Sequence, residues 1–333
     1  MSQSATIERA DPAPKPILPT NPFYAPWFVE AAAERIISQP EWFEGAGARL
    51  PTRPAARLGR LPLPHNEGLH HDHCFLGTPS LTPGREAEGL RALAAAGRLL
   101  RLRKVPEDSS AHAALAVFPG ARIVASRERA WLRAGASYED HLADALRGKK
   151  RKELRRQRAR LEEAGALSEA VEEGAAGLDG WTDEFLVLEA EGWKGEAGTA
   201  MARREAEAAF LRGMLAGAAA VGALRRFSLR LDGRPVALVI GLASGDHGLY
   251  TYKIAHDPAL SRYSPGVMAM LLVTRHVLGN GHAFADSCAA EGHPMIDSLW
   301  RDRRVLHDWI VPGSAASRAV IEGLTLARLA RRP

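Results

Sequence analysis

The sequence predicts an α/β (α+β) protein with a mixed, largely antiparallel sheet flanked by helices and arranged as two similar units in tandem. With 333 residues, 46% of them hydrophobic, the chain can bury a large core and is long enough for two domains. Strand-like runs on both sides of Asp232-Gly233 predict a hairpin. After it, strand-like and helix-like segments alternate, as expected for a sheet covered by helices.

Composition limits the class of protein. The first twenty residues are polar and rich in proline, which predicts a disordered tail (1–20) without a secretory signal. No apolar run approaches the roughly 18 residues of a membrane span, so we expect a cytoplasmic protein. The two cysteines, Cys74 and Cys288, lie far apart in the sequence, which argues against a disulfide framework and against a paired-cysteine zinc site.

The first predicted unit spans residues 21–136. It begins with an apolar helix in "NPFYAPWFVEAAAERII" and has a second helix in "GREAEGLRALAAAGR". The strand-like runs of this unit, separated by Gly and Pro turns, are 57–63, 71–77, 98–105 and 121–127. Together they predict a small α/β unit.

The second predicted unit spans residues 137–333. It opens with a long helix over 138–164, with Ser137 as N-cap and Gly165 as its stop. A three-strand meander ends in "LYTYKIAHD". The predicted elements that follow are a helix over 265–278, a strand in "HAFADSC", a helix around "MIDSLWRDRR", a strand in "VLHDWIV" and a closing helix from Ser314.

The helix that starts at Ser264-Pro265-Gly266 is a candidate phosphate site. The first N–H groups of a helix have no intrahelical partner and lie at the positive end of its dipole. Ser264 is a suitable N-cap, Pro265 has the φ angle of the first helical position, and Gly266 leaves room for a ligand. The alternative is an ordinary Ser-Pro helix start.

Three phrases carry a family resemblance: "RKELRRQRARLEEAG" (151–165), "EAEGWKGEAGTA" (189–200) and "YTYKIAHDPALSRYSPG" (250–266). The order of meander, open helix start, strand, helix and strand resembles the core of the GNAT acetyltransferases. More closely, the phrases look like the GNAT-type acyltransferases that include the cellulose-biosynthesis-associated (CelD/BcsL-like) proteins. The resemblance covers residues 138–310, with weaker support from "NPFYAPWFVEAA" and "FLGTPSL".

The resemblance implies that the pyrophosphate of acetyl-CoA, or of another acyl-CoA, binds at the helix start. The implied cofactor-binding residues are Arg262, Tyr263, Ser264, Pro265, Gly266 and Val267. The general GNAT loop reads R/Q-x-x-G-x-G/A, whereas alignment on Arg262 places Pro265 and Val267 at the glycine positions. Because Pro265 has no N–H, the loop offers fewer backbone donors than the general motif.

Acyl transfer requires a base for the acceptor and an acid for the leaving thiolate. Strict alternation along 250–256 would place Tyr250, Tyr252, Ile254 and His256 on one face, and Thr251, Lys253 and Ala255 on the other. Tyr252 or Tyr263 is then a candidate acid, and His256 or Asp257 a candidate base. The alternative is tyrosine packing and a capped turn at His-Asp-Pro.

Other candidates flank the meander. Trp193, Lys194 and Lys253 are predicted to line the acceptor site, with Glu191 as a possible base, although Trp193 also fits a core position. Asp286 ends an apolar strand, where a carboxylate is either buried for a purpose or, as we expect here, solvated in the following turn.

No metal is expected in this reaction. The run "HHDHC" (70–74) contains ligand types, but strand alternation would split them between two faces. Cys288 is disfavoured as an acyl-carrying nucleophile, because direct transfer in a ternary complex needs no covalent intermediate.

Residues 147–160 carry nine basic residues and one acidic residue, a local charge of 9 − 1 = +8 in a chain whose net charge is +5. Arg147, Arg151, Arg155 and Arg158 would share one helix face, with Lys152, Arg156 and Arg160 on an adjoining one. This surface fits CoA phosphates, nucleic acid, or anionic lipid or polysaccharide, or else a solvated face.

The sequence therefore predicts an acyl-CoA-dependent N- or O-acyltransferase with a small-molecule or glycan acceptor, related to polysaccharide or cell-envelope chemistry. Two alternatives remain. The two-unit layout also looks like the Fem-type transferases, which take their donor from aminoacyl-tRNA. The other is a non-catalytic polyanion-binding module.

Overall fold

The computed structural model describes residues 18–58, 60–97, 99–192, 198 and 200–329. The predicted site residues Trp193 and Lys194, and nearly all of the predicted tail, lie outside the described residues. Among the helices of the described part, none is long and apolar enough to cross a membrane.

Twelve strands form one sheet in the described chain. In chain order the strands are β1 (Glu41–Gly45), β2 (Ala48–Ala55), β3 (His65–Gly68), β4 (Ser80–Leu81), β5 (Leu99–Pro106), β6 (Arg122–Arg133), β7 (Leu167–Glu173), β8 (Leu224–Leu231), β9 (Arg234–Ala243), β10 (Gly248–His256), β11 (Phe284–Asp286) and β12 (Asp302–Pro312).

The helices cover both faces of this sheet. They are α1 (Pro26–Arg35), α2 (Glu86–Gly97), α3 (Ser110–Ala116), α4 (Tyr138–Ala145), α5 (Gly148–Glu163), α6 (Leu178–Glu191), α7 (Glu205–Ala220), α8 (Pro265–Gly279), α9 (Pro294–Asp297) and α10 (Ala315–Leu329). Short 3₁₀ turns occur at Pro22–Tyr24, Met201–Arg203 and Pro258–Tyr263.

The strand order is nearly symmetric about its centre. It runs β1-β2-β3-β5-β12-β6-β11-β10-β9-β8-β7, with β4 paired to β2. Each half contains a meander whose third strand is followed by a helix and then by a parallel neighbour, β3 with β5 and β10 with β11. All other pairs are antiparallel. The predicted mixed, largely antiparallel sheet of two similar units is confirmed.

The last strand of each unit lies beside the other unit. β6, from the first unit, pairs with β11, and β12, from the second, pairs with β5. β6 and β12 also pair with each other at the centre of the sheet. Strands from both sides of the boundary predicted at 136/137 thus belong to one continuous sheet. The boundary itself remains a prediction.

The two faces of the sheet bury separate apolar clusters. On the first face, α1, α2, α3, α6 and α7 pack over a core that includes Phe28, Phe210 and Tyr252. On the second face, α4, α5, α8 and α9 pack over a core that includes Phe227 and Trp300. β10 thus has a packed core on each of its two faces.

Two predicted strands of the first unit are absent from the described structure. Residues 57–63 form only a single bridge between Leu58 and Leu61, and Pro62 cannot donate to a ladder. Residues 71–77 form a turn in which the N–H of Cys74 donates to the carbonyl of His71 at 2.9 Å. In both segments the apolar residues alone did not predict the secondary structure correctly.

The predicted helix 138–164 is two helices. The Ser137 cap is confirmed, since its hydroxyl accepts the N–H of Asp140 at 3.1 Å. The chain then becomes extended at Leu146, before Gly148 starts α5. Arg151 holds the break, because its guanidinium donates to the carbonyls of Leu142 and Leu146 at 3.2 Å each. The helix predicted around 295–304 is also shorter, as α9 ends at Asp297.

Candidate active site

α8 begins at Pro265, close to the predicted helix start, and both Pro265 and Gly266 are buried. Ser264 is the N-cap by position, but its backbone is left-handed (φ 56°) and its hydroxyl caps no N–H of the helix. Its carbonyl accepts the N–H of Met268 at 3.1 Å. The Ser264 hydroxyl therefore does not satisfy any of the first N–H groups at the positive end of the α8 dipole.

His256 lies directly beside this helix start. A Cβ atom on the buried Gly266 would lie 3.4 Å from Nδ1 of His256 and 3.4 Å from Sδ of Met295. A Cβ atom on Gly192, just after Glu191 at the exposed end of α6, would lie 4.0 Å from the carbonyl oxygen of His256. The ends of α6 and β10 and the start of α8 thus meet at one place.

The residues between His256 and α8 are ordered by local hydrogen bonds. The carboxylate of Asp257 accepts the N–H of Ala259 at 2.8 Å and caps the 3₁₀ turn, which confirms the capped turn that we weighed against a catalytic base. The exposed Arg262 guanidinium stacks on the half-buried Tyr263 ring at 4.7 Å from its centroid. Val267 packs against the core of the second face.

A β-bulge changes the faces predicted for β10. Register with β9 shifts between Thr251 and Lys253, so Tyr252 is the extra residue. Tyr252 belongs to the core of the first face, and Lys253 reaches Glu189 on that same side. Ile254 instead packs on the second face. The prediction that Tyr252 shares a face with Ile254 and His256 is wrong, because the bulge reverses the alternation.

The environment of Tyr252 suits a proton donor. Its ring contacts Phe23, Phe28 and Phe75, and its hydroxyl is buried without a hydrogen-bond partner among the described residues. Burial, reinforced by nearby Glu189, raises the pKa of Tyr252 well above its usual value. The hydroxyl therefore keeps its proton at neutral pH.

β10 and β11 are paired for only three residues, just before the bulge. β11 pairs with Gly248–Tyr250 and ends at Asp286, whereas β10 continues to His256. The hydroxyl of Thr251 donates to the carbonyls of Asp286 and Ser287 at 3.2 and 3.0 Å. Beyond this point the parallel pair no longer exists, and the α8 start lies at the far end of β10.

Asp286 is buried, not solvated in a turn. It is fully inaccessible, and its Oδ2 accepts from Arg129 Nη2 at 2.7 Å and from Arg304 Nη1 at 3.0 Å. Burial opposes ionisation, but Arg129 and Arg304 outweigh it and lower the pKa of Asp286. The expected solvated turn is wrong. The Asp286 carboxylate therefore links neighbouring strands. It also lies far from His256: Tyr250, which pairs with Asp286 across the two strands, is six residues of β10, or about 20 Å, from His256.

Charged groups gather on the first face of β10, next to Tyr252. Nζ of Lys253 lies 3.7 Å from Oε1 of the buried Glu189, whose Oε2 accepts the N–H of Met201 at 2.9 Å. His73 Nε2 lies 3.6 Å from Oε2 of Glu207. Burial, with the Lys253 charge, lowers the pKa of His73 to about 4, so the imidazole is neutral at pH 7.

Glu189, Glu207, Arg129 and Arg304 were not among the residues predicted from the sequence. Glu189 could have been noticed in the sequence, because it lies four residues after the buried Phe185 on the apolar side of α6. Burying a carboxylate there costs free energy unless it has a partner. No local sequence pattern indicates Arg129 and Arg304, since they meet at Asp286 only through strand pairing over long sequence distances.

The histidine-rich run 70–74 packs as aromatic side chains. His71 stacks on Phe28 and His73 on Phe210, with centroid distances of 5.7 and 5.4 Å. Its predicted strand alternation does not apply, because the run is a turn. In the described part of the chain, the metal-capable trio is Glu107, His112 and His307. It lies at β12, three strands or about 14 Å from β10.

Cys288 lies just after β11 and is buried. Burial raises the pKa of its thiol far above the ordinary value. A protonated, buried thiol is a poor nucleophile, which agrees with the expectation of direct transfer.

The comparisons with known proteins agree with this geometry. Residues 148–302 match a family model described as Acetyltransferase (GNAT) domain. The predicted class is confirmed at this level: the chain carries a GNAT domain and is an acyltransferase. The match concerns the domain class, so the finer resemblance to CelD/BcsL-like proteins stays a prediction. No curated protein matches the sequence.

Solved structures share the fold over most of the chain. FemX is 8% identical with a TM-score of 0.56, covering 90% of this chain and 94% of that chain. L-PGS from Bacillus licheniformis is 12% identical with a TM-score of 0.53, covering 95% and 99%. A conserved protein of unknown function from Bacteroides thetaiotaomicron is 15% identical with a TM-score of 0.53, covering 88% and 91%. At these identities the likeness establishes the fold alone.

Proposed function

We propose that the protein transfers an acyl group directly from an acyl-CoA thioester to an amine or hydroxyl acceptor. The observation that carries this proposal is the meeting of β10 with the start of α8, where His256 borders Gly266 and the Ser264 side chain does not cap the helix. The dipole and the remaining N–H groups of the first turn suit the pyrophosphate of CoA.

In this proposal the donor phosphates and the acceptor bind on opposite faces of β10. The donor phosphates lie on the second face, at Ser264, Pro265 and Gly266. The thioester reaches β10 near Tyr252, beyond the last β10–β11 pair. The acceptor binds on the first face, where Lys253, Glu189 and the neutral His73 offer charge and a proton acceptor.

The transfer step balances without a covalent enzyme intermediate. The acceptor nitrogen or oxygen attacks the thioester carbonyl carbon, and its proton passes to a base such as the His73 imidazole. The new C–N or C–O bond forms as the C–S bond breaks. The departing thiolate takes the proton of the Tyr252 hydroxyl, which is buried and still protonated. Before the next turnover the Tyr252 phenolate regains a proton and the His73 imidazolium loses one, so no net proton is gained or lost by the enzyme.

A glycan or other cell-envelope acceptor is the finer part of the proposal and is supported by the CelD/BcsL-like resemblance of residues 151–165, 189–200 and 250–266. The second candidate is the Fem-type reaction, supported by the two-unit sheet and by the basic α5. Salt separates the two, because binding of a nucleic-acid donor falls steeply between about 50 and 200 mM salt and binding of CoA falls less.

Calorimetric titration with acetyl-CoA tests the donor site. We expect saturable binding near one site per chain, and we expect Gly266→Asp to abolish it, since a carboxylate there repels phosphate beside His256. The matched control is Gly180→Asp, which adds the same group in the first turn of α6, where a Cβ meets nothing within 4 Å. Retained affinity in a folded Gly266→Asp variant would remove this site.

A further inference from the structure

The basic helix α5 has two faces with different partners. On one face, Arg151 donates to the carbonyls of Leu142 and Leu146, and Arg158 pairs with Glu162 and Glu169. These cations already have partners within the fold. They border a larger cleft of about 700 Å³, which has an apolar floor and is also lined by Arg155.

The other face presents two arginines with no such partners. Arg156 and Arg160 are exposed, and in the described ranges no carboxylate lies within ion-pair distance of either guanidinium. They lie four residues apart, which places them side by side on the helix. Two like charges held together in this way gain from binding an anion between them.

These arginines line a polar cleft with the turn that leads into α8. The cleft has a volume of about 450 Å³ and is bordered by Arg156, Gln157, Arg160, Glu163, Arg262 and Tyr263. Gln157 Nε2 donates to the carbonyl of Arg262 at 3.2 Å, so α5 itself positions the turn. Three guanidinium groups thus face one carboxylate, that of Glu163.

The cleft adjoins the proposed pyrophosphate site. Tyr263 is followed directly by Ser264, the N-cap of α8. In CoA the pyrophosphate is joined to a ribose that carries a further phosphate at its 3′ position. A CoA whose pyrophosphate lies at α8 therefore places a second dianionic group one ribose away, within reach of the adjoining cleft.

We propose that the cleft between α5 and the 258–263 turn binds the 3′-phosphate of CoA through Arg156, Arg160 and Arg262. This inference rests on the proposed function. It assigns the unpaired charges of the basic helix to the donor, and it makes the protein selective for CoA over carriers that lack the 3′-phosphate, such as a pantetheine carried on a protein.

Titration with CoA and with 3′-dephospho-CoA tests the assignment. Wild-type protein is expected to bind CoA at least about tenfold more tightly, since charge-assisted contacts to the phosphate are lost in the dephospho form. The double variant Arg156→Gln/Arg160→Gln is expected to bind both nucleotides with the wild-type affinity for dephospho-CoA. The control, Lys149→Gln/Arg155→Gln, removes two charges from α5 outside the cleft and should keep the preference.

The outcomes separate the two proposals. Equal wild-type affinity for both nucleotides overturns the 3′-phosphate site and leaves the donor site standing. Equal weakening of both nucleotides by Arg156→Gln/Arg160→Gln also overturns it, because that is a general field effect. If neither nucleotide binds, the proposed function and this inference both fall. Filter retention of tRNA that the same double variant abolishes would then assign the cleft to nucleic acid.

Discussion

At the scale of single residues, Asp286 and Tyr252 show opposite uses of buried polar groups. Asp286 receives two guanidinium groups and so is held ionised in the interior. Tyr252 has a buried hydroxyl that receives no hydrogen bond within the described residues. Other buried polar atoms, such as Trp131 Nε1 and Trp309 Nε1, share this state, and Tyr252 is distinguished by its place at the β10 bulge next to Lys253 and Glu189.

Tyr252→Phe should therefore separate stability from chemistry. Removing an unpaired hydroxyl from an apolar site should leave the free energy of unfolding unchanged or slightly higher. Loss of the thiolate's proton donor should lower kcat by about 10² while KM stays similar. Steady-state kinetics and urea unfolding measure both quantities. A variant with wild-type kcat would show that Tyr252 only packs.

Asp286→Asn should be strongly destabilising. It leaves Arg129 buried with no counter-charge and Arg304 with Asp108 as its remaining partner, and removing one partner from a buried ion pair costs about 3–5 kcal/mol. Urea unfolding at pH 7 measures the loss. Glu88→Gln, in the exposed Arg85–Glu88 pair, is the control and should cost less than about 1 kcal/mol. Equal losses would show that the buried network adds no stability.

The pH dependence of Asp286 has a definite sign. Its pKa is lowered in the folded protein, so the unfolded chain binds this proton more readily. The ionised Asp286 makes its full contribution to the free energy of unfolding above its pKa in the unfolded chain, which is about 4. This contribution is lost as the pH falls through the lower pKa of the folded protein. Wild-type protein should therefore lose more stability than Asp286→Asn over this acidic range.

At the scale of elements, the sequence predicted those whose signals are local. The meander around Asp232-Gly233, the Ser137 cap and the Pro265 helix start are all present, because turn and cap preferences act within a few residues. The bulge at Tyr252 and the break at Leu146 were not predictable in this way. The bulge depends on register with β9, and the break depends on an arginine capping the preceding helix.

The candidate site follows the same rule. Residues 256 and 262–267 could be grouped from the sequence because they lie close together along the chain, at a strand end, a turn and a helix start. On the first face of β10 the sequence predicted Lys253 but not His73, Glu189 or Glu207, since this group joins the first unit to the second. Only the arrangement of the sheet brings these parts of the chain together.

At the scale of the whole molecule, the exchanged strands make the two units dependent on each other. β6 has both of its neighbours, β11 and β12, in the second unit. The Asp286 network crosses the same place, because Arg304 also binds Asp108 of the first unit at 2.9 and 3.1 Å. Neither unit can complete its sheet alone.

We therefore expect residues 1–136 and 137–333 to be unfolded when produced separately and to fold when produced together. Circular dichroism and size-exclusion chromatography of each fragment and of the pair measure this. A protease site inserted at the exposed Gly135, where a Cβ would meet nothing within 4 Å, is the control and should be tolerated. A fragment that folds cooperatively on its own would contradict the interdependence.

The same exchange sets the order in which the chain can assemble. During synthesis β6 emerges long before β11 and β12, so it waits with both edges unpaired, and such long-range pairing slows folding. An exposed strand edge invites association with other chains. The β6 sequence "RIVASRERAWLR" has four arginines and a glutamate among its apolar residues, and charges of this kind discourage aggregation. Arg129, which later anchors Asp286, thus also helps to protect the nascent chain until its partner strand exists.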